Sequence, residues 1–322
     1  MFSYPEIVAT LGPSSRGLVR SLRDAGATSV RLNASHMSVE DLGTVTAEVR
    51  RADSSLPVVV DLQGAKMRLG NLDDRAVRVG DRIVFSLSGS GGTIPLPHPE
   101  IFSGVSGGDT LSSDDDRLRF RVEAVCPDSL QAVSLTRGTL RSRKGINVLE
   151  HPIVLADVSP RDLACIRATA CLGGISFAFS FMRDGTEASW VRRHAPGSPV
   201  IGKVERGEAV QNASTIASLV DALWVCRGDL GAQLGSAGLA HWISGYEPRT
   251  ERCPVLMAGQ VMEHLTLHEE PTRTEVCHLF DLAARGYAGF VLSDETAIGR
   301  DPVHAVRMTR LLLDEFSREA PA

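Results

Sequence analysis

The chain has 322 residues, 43% of them apolar, which is enough for one large α/β domain carrying an insertion or for two domains. A net charge of −5 provides no broad basic surface, so neither nucleic acid nor an anionic membrane is expected as a partner, and any anion site must be local. The cysteines at 126, 165, 171, 226, 253 and 277 form no C-x-x-C pair and no disulfide-like framework, and are expected to be reduced core residues of a cytoplasmic protein.

The N-terminus, MFSYPEIVATLG, has no basic stretch leading into an apolar run, and nowhere do about 18 apolar residues follow one another, so no targeting segment or membrane span is expected. From there, short β-branched apolar runs bounded by turn residues recur: EIVATLG, SVRLNAS, PVVVDLQG, ISFAFSFMR, PVIGKVER, ALWVCRGDL, PVLMAGQ and YAGFVLSDE. Most are separated by stretches of helical length, such as SVEDLGTVTAEVRRAD, SPRDLACIRATACLG and RTEVCHLFDLAARG. Strand and helix alternating in this way predict an α/β fold, a (β/α)8 TIM barrel. An open doubly wound sheet is the other candidate, but no G-x-G-x-x-G follows the first strand. The alternation breaks between about Leu69 and Leu149, where AVRVGDRIVFSL, LRFRVEAV and SLQAVSLT read as short strands. An all-β insert is therefore expected over 70–149, with the barrel formed by 1–69 and 150–322. Inside the insert, SGSGGTIPLPHPEIFSGVSGG reads as a flexible loop or a mobile edge. One helix, PVHAVRMTRLLLDEF, follows the eighth strand, and no further domain is expected after it.

Chemistry in a barrel gathers at the C-terminal ends of the strands. The second strand ends in Arg31, Asn33 and Ser35, spaced by two and therefore expected on one face. The third ends in Asp61, with Lys66 and Arg68 just beyond; the fifth carries Lys203 and Glu205; the sixth ends in Arg227, Gly228 and Asp229. Buried singly, such charges cost several kcal/mol, so they must balance one another or a ligand. Ion pairs of Lys203 with Glu205 and of Arg31 with Asp61 would meet that need without any function. Charge brought to the same end by several independent strands is more than packing requires. Two carboxylates, Glu205 and Asp229, are the sparse set that Mg²⁺ or Mn²⁺ takes when substrate oxygens complete its octahedron. Arginine and lysine nearby suit a phosphoryl group, and the amides of RGDLG suit a carboxylate or phosphate at a helix start.

The segments IVATLGPSS, RLNASH, GKVE, CRGDLG, EEPTRTEV and VLSDETAIG occur in the order and approximate spacing of pyruvate kinases, and the chain resembles that family over nearly its whole length. SSDDDRLRF and RSRKGINV resemble the acidic turn and the K-K-G-V-N segment of the family's small β-barrel lid domain. The resemblance implies an enzyme, a Mg²⁺-dependent phosphotransferase acting between ATP/ADP and an enolpyruvate or related small carboxylic acid. It implies that Arg31 contacts the transferring phosphoryl group and that Lys203 stabilises it and the enolate oxygen. Arg68 matches a phosphate-pocket arginine, and Ser293 joins the catalytic set. Arg227, Gly228, Asp229 and Gly259 fall, with Arg31 and Lys203, at substrate positions. Glu205 and Asp229 match metal ligands. Asn33, Ser35 and Asp61, with Lys66, match a monovalent-cation-like site, and Thr10, Pro13, His36 and Lys144 match the nucleotide side. On this reading Lys203 is balanced by a phosphoryl group and Glu205 by a dication.

Several positions depart from the family pattern. Lys66 stands where potassium-dependent members carry glutamate; a tethered ammonium supplies the same charge, so K⁺ is expected not to be required. Where the family reads A-T-Q-M, this chain has Ala258, Gly259, Gln260 and Val261, losing a threonine hydroxyl near the reacting carbons and leaving room for a larger acid. S-G-E-T becomes Ser293, Asp294, Glu295 and Thr296, adding a negative charge at the rim. Asp116 replaces a glycine of the acidic turn, and no counterpart of the family's C-terminal effector domain is expected, so a homo-oligomer is expected to form, if at all, without part of the family's usual contact surface.

Two other readings stay open: a metal-dependent lyase or aldolase of the phosphoenolpyruvate/pyruvate barrel group, and a non-catalytic descendant of the kinase. Nucleotide binding separates the first from a kinase, and metal-dependent turnover excludes the second. Remaining signals take simple readings. Arg137, Arg141, Arg143 and Lys144 lack interleaved aromatics and suit a solvated hairpin. His264 and His268 lack a third zinc ligand, and Asp114 to Asp116 lack EF-hand spacing and read as a turn.

Overall fold

A computed structural model of the chain describes residues 5–114, 117–151 and 153–319. Asp115 and Asp116 of the expected acidic turn lie outside the described residues.

The apolar runs form the parallel strands β1 (Glu6–Leu11), β2 (Ser29–Asn33), β3 (Val58–Leu62), β4 (Ile175–Phe179), β5 (Val200–Val204), β6 (Ala222–Cys226), β7 (Val255–Ala258) and β8 (Gly289–Leu292). Each pairs with its neighbours in sequence, and β1 pairs with β8 to close a barrel. Both faces of the strands are buried, which is why they read as continuous apolar runs rather than alternating ones. On one face Val8, Val59, Ala178, Ile201, Trp224 and Val291 form the barrel interior. The alternate residues, such as Val60, Phe177, Leu223 and Phe290, are fully buried on the other face.

The intervening stretches form α1 (Val19–Asp24), α2 (Val39–Ala52), α3 (Pro160–Thr169), α4 (Glu187–His194), α5 (Ala213–Leu219), α6 (Arg227–Gly245), α7 (Arg273–Ala284) and α8 (Pro302–Glu319). Their starts are chemically marked. Ser38 accepts from Asp41 N at the head of α2, and Ser159 accepts from Asp162 N ahead of Pro160 at the head of α3. The architecture is a (β/α)8 barrel.

Apart from the unit of 1–64 and 157–322, residues 65–156 form a second compact unit. It is built on a six-stranded sheet, in the spatial order 146–148, 110–113, 118–126, 129–134, 82–86 and 94–95, and a two-stranded sheet of 75–77 with 138–140. Phe85 and Phe120 meet edge to face at 5.3 Å in its core. The Gly-rich tract expected to be a flexible loop or mobile edge supplies an edge strand of the sheet, Ile94–Pro95, and also anchors several side chains in the core. Ile94, Leu96, Ile101 and Phe102 are buried, and Pro99–Gly104 is helical, because five apolar side chains from 94 to 105 outweigh the local turn chemistry.

Two further expectations are corrected. All six cysteines are free thiols, but only Cys165 and Cys226 are buried; Cys126, Cys171 and Cys277 are exposed. Ser35 does not continue the β2 face, because the chain turns into a 3-10 segment over Ala34–His36 that Asn33 caps by accepting from Ser35 N at 3.2 Å.

Candidate active site

Four charged side chains from β2, β3 and the end of β5 meet at the C-terminal end of the barrel. Arg31 on β2 donates from Nε (2.8 Å) and Nη2 (2.6 Å) to Asp61 Oδ2 on β3. Its Nη1 donates to Thr10 Oγ1 on β1 at 3.0 Å. Lys203 on β5 donates to both Asp61 oxygens at 3.0 Å, and its Nζ lies 3.0 Å from Glu205 Oε1. Asp61, Lys203 and Glu205 are all at most 5% exposed. Their meeting follows from parallel register: Thr10 pairs with Arg31, and Asn33 with Asp61, so inward positions of successive strands fall into layers.

The expected counter-charges are therefore corrected. Lys203 is countered first by Asp61 and Glu205, and Glu205 by Lys203, rather than by a phosphoryl group and a dication alone. Arg31 and Lys203 face Asp61 and Glu205, so the buried cluster balances before any ligand is counted. Burial opposes each charge, yet the partners win. Asp61 sits below the ordinary carboxylate range, because Lys203 and then Arg31 outweigh burial. Lys203 lies well above the ordinary lysine value, because Asp61 and Glu205 outweigh burial. The Cys226 thiol, in the same layer, is pushed far up by burial and then by Glu205, and stays protonated.

Arg227 opens α6, where the RGDLG motif was expected to begin a helix, and Asp229 lies in its first turn, half-buried. Arg227 donates from Nε and Nη2 to Gly259 O at 2.9 and 2.7 Å, and from Nη2 to Gln260 O at 2.6 Å. Gly259 (φ 80°) and Gln260 (φ 53°) are both left-handed, a conformation costly for a β-branched residue. A Cβ at Gly259 would meet only Gly228 N, at 3.8 Å, so the space beside the helix start is open.

A cavity of about 510 Å³ opens on the same end of the barrel. It gathers Thr10, Pro13, Arg31, Asn33, His36 and Ser293, drawn from the ends of β1, β2 and β8. Arg161 braces its β2 side by donating to Ala34 O at 3.0 Å. Glu295 braces the β8 side, accepting from Ser293 N at 2.6 Å and from Met262 N at 3.0 Å.

Lys66, Arg68 and Lys144 belong to the 65–156 unit. There Arg68 Nη1 donates to Arg143 O at 3.0 Å, and Lys144 Nζ pairs with Asp114 at 2.6 Å. The His264 and His268 rings stack at 3.8 Å, a packing role. Among the described residues no group of three or more His, Cys, Asp or Glu is placed to hold a metal, so a cation held here would rest on two carboxylates and outside oxygens.

The sequence reading passed over Ser180, Glu295 and Asp162. Ser180 was findable, since it falls two positions beyond the inward-facing Ala178. Asp162 accepts from Gln63 N and Gly64 N, partners nearly 100 residues away, and no sequence spacing announces that.

The fold and this cluster define an enzyme of the (β/α)8-barrel class with its charges assembled at the C-terminal strand ends. A family model described as pyruvate kinase, barrel domain, matches residues 3–306. Pyruvate kinase of Thermococcus litoralis is 30% identical over 320 residues, covering 94% of this chain and 67% of that protein. One from Agrobacterium vitis is 33% identical over 337 residues (97% and 68%), and one from Mycobacterium tuberculosis 30% over 336 residues (98% and 71%). The chain belongs to the pyruvate kinase family and is a pyruvate kinase-like phosphotransferase.

Proposed function

We propose that this enzyme transfers a phosphoryl group between an adenine nucleotide and an enolpyruvate or related small carboxylic acid, with Mg²⁺ or Mn²⁺. The observation that carries this reading is the balanced Arg31–Asp61–Lys203–Glu205 cluster, with Arg31 also lining the cavity. A phosphoryl group arriving there meets two cations that are already desolvated and held, so little reorganisation is left for the reaction. Lys203 would neutralise charge growing on the phosphoryl and acid oxygens, and Arg31 would orient the group being transferred.

Glu205 and Asp229 suit a hard divalent cation, which would supply charge neutralisation across the phosphoryl oxygens. The first turn of α6, with Gly228 and Asp229, would receive the acid's carboxylate. Thr10, Pro13 and His36 would line the nucleotide, and Asn33, Ser35 and Asp61 match the monovalent-cation-like site. By sequence match alone, Lys66, Arg68 and Lys144 correspond to family positions, Lys66 to the one where potassium-dependent members carry glutamate. The open space at Gly259 favours an acid with a larger group than pyruvate's methyl.

Phosphorus NMR of the purified enzyme with Mg²⁺, ATP or ADP, and a panel of enolpyruvates and small acids tests the reading. Transfer to or from one acid is expected, with Lys203→Met about 10²- to 10³-fold slower. No transfer in either direction across the panel would defeat it.

A further inference from the structure

The end of β4 carries side-chain and backbone groups that hold the cluster in place. Ser180, one residue beyond the strand, accepts from Lys203 Nζ at 2.9 Å, while its own Oγ lies 2.7 Å from Leu62 O and 3.2 Å from Asp61 Oδ1. A hydroxyl has one proton; with Leu62 O nearest to take it, the lone pairs face the ammonium. Lys203 Nζ thus donates to Asp61 and Ser180, with Glu205 Oε1 at ion-pair distance, 3.0 Å.

The next residue, Phe181, is buried at φ 58°, a region that bulky side chains rarely occupy. This turns its N–H onto Glu205 Oε2 at 2.8 Å. Behind them, Gly64 lies so close that a Cβ there would sit 2.1 Å from Ser180 O, and Asp162 holds that turn through Gln63 N and Gly64 N, each at 3.0 Å. A run of contacts leads from α3 through the β3 turn to Ser180 and Phe181, and ends on Lys203 and Glu205.

We propose that Ser180 is a positioning residue for phosphoryl transfer, fixing the Lys203 ammonium where charge develops, while the Phe181 amide does the same for Glu205. The proposal rests on the reading of Lys203 as the phosphoryl-stabilising group. A hydroxyl that sharpens a group needed mainly in the transition state affects kcat more than KM.

The test compares Ser180→Ala and Ser180→Thr with the wild-type enzyme in steady-state kinetics, thermal melts and crystal structures. In Ser180→Ala, kcat is expected to fall about tenfold or more, with KM for the nucleotide nearly unchanged and Lys203 Nζ displaced. Ser180→Thr, which keeps the hydroxyl, is expected to recover most of kcat. Unchanged kcat with Lys203 in place overturns the proposal. So does an equal fall in both variants that tracks a lowered melting temperature. If the wild-type enzyme turns over none of the acids tested, the functional reading fails separately. The Ser180→Ala structure then decides the positioning: a displaced Nζ upholds it and an unmoved one overturns it.

Discussion

Asp61 is the residue on which the buried cluster turns, since both cations share it. Removing it would leave Arg31 and Lys203 facing each other with one remaining carboxylate, and breaking such a buried group costs more than forming it gains. Asp162 shows the opposite balance. Burial outweighs the N–H groups it accepts and raises its carboxyl from 3.8 to about 6. The folded state therefore binds the proton more tightly. The stability this contributes is fully present below pH 3.8 and is lost as pH rises through about 6, amounting to about 3 kcal/mol. In paired urea titrations, wild type is expected to gain stability relative to Asp162→Asn as pH is lowered from 7 toward 4. A pH-independent difference between the two would show that Asp162 titrates normally.

At the level of elements, the EEPTRTEV segment that marks the family also has a plain physical task. Thr272 Oγ1 accepts from Glu275 N at 3.1 Å and Glu275 Oε2 accepts from Thr272 N at 2.8 Å, a reciprocal cap on α7. The second Glu275 oxygen accepts from His264 N at 2.8 Å, tying the preceding loop to the helix start. Thr272→Ala is expected to cost about 1 kcal/mol in chemical denaturation, without a comparable change in KM. Strands and helices were legible because their apolar period and caps are local signals. The inward position of Ser180 could be read from its spacing to Ala178, but its role and that of Phe181 could not, because these depend on β4 lying between β3 and β5 and on the left-handed turn at Phe181. The same limit applies to the tract from 88 to 108, whose glycines speak for a loop while its apolar residues, scattered between them, find a core only in the folded insert.

For the whole molecule, the insertion of one unit into a loop of the other gives each unit an apolar core of its own. The three tryptophans, Trp190, Trp224 and Trp242, all belong to the barrel unit. Phe120, fully buried in the insert, offers a way to perturb the other core alone. Phe120→Ala is expected to destabilise the insert by about 3–5 kcal/mol, producing an early calorimetric transition while the tryptophan-detected midpoint stays in place. Equal shifts in both signals would mean that the two cores unfold as one.

The sequence by itself determined the strand–helix alternation, the break that houses the insert and the set of charged residues at the strand ends, because each is written in periods and spacings a few residues long. Only the tertiary structure decided that those charges neutralise one another, that Ser180 and the Phe181 amide complete their hydrogen bonds, and that Asp162 reaches back to the β3 turn. The barrel brings polar atoms of residues far apart in sequence to about 3 Å from one another, and electrostatic balance depends on those distances rather than on chain order.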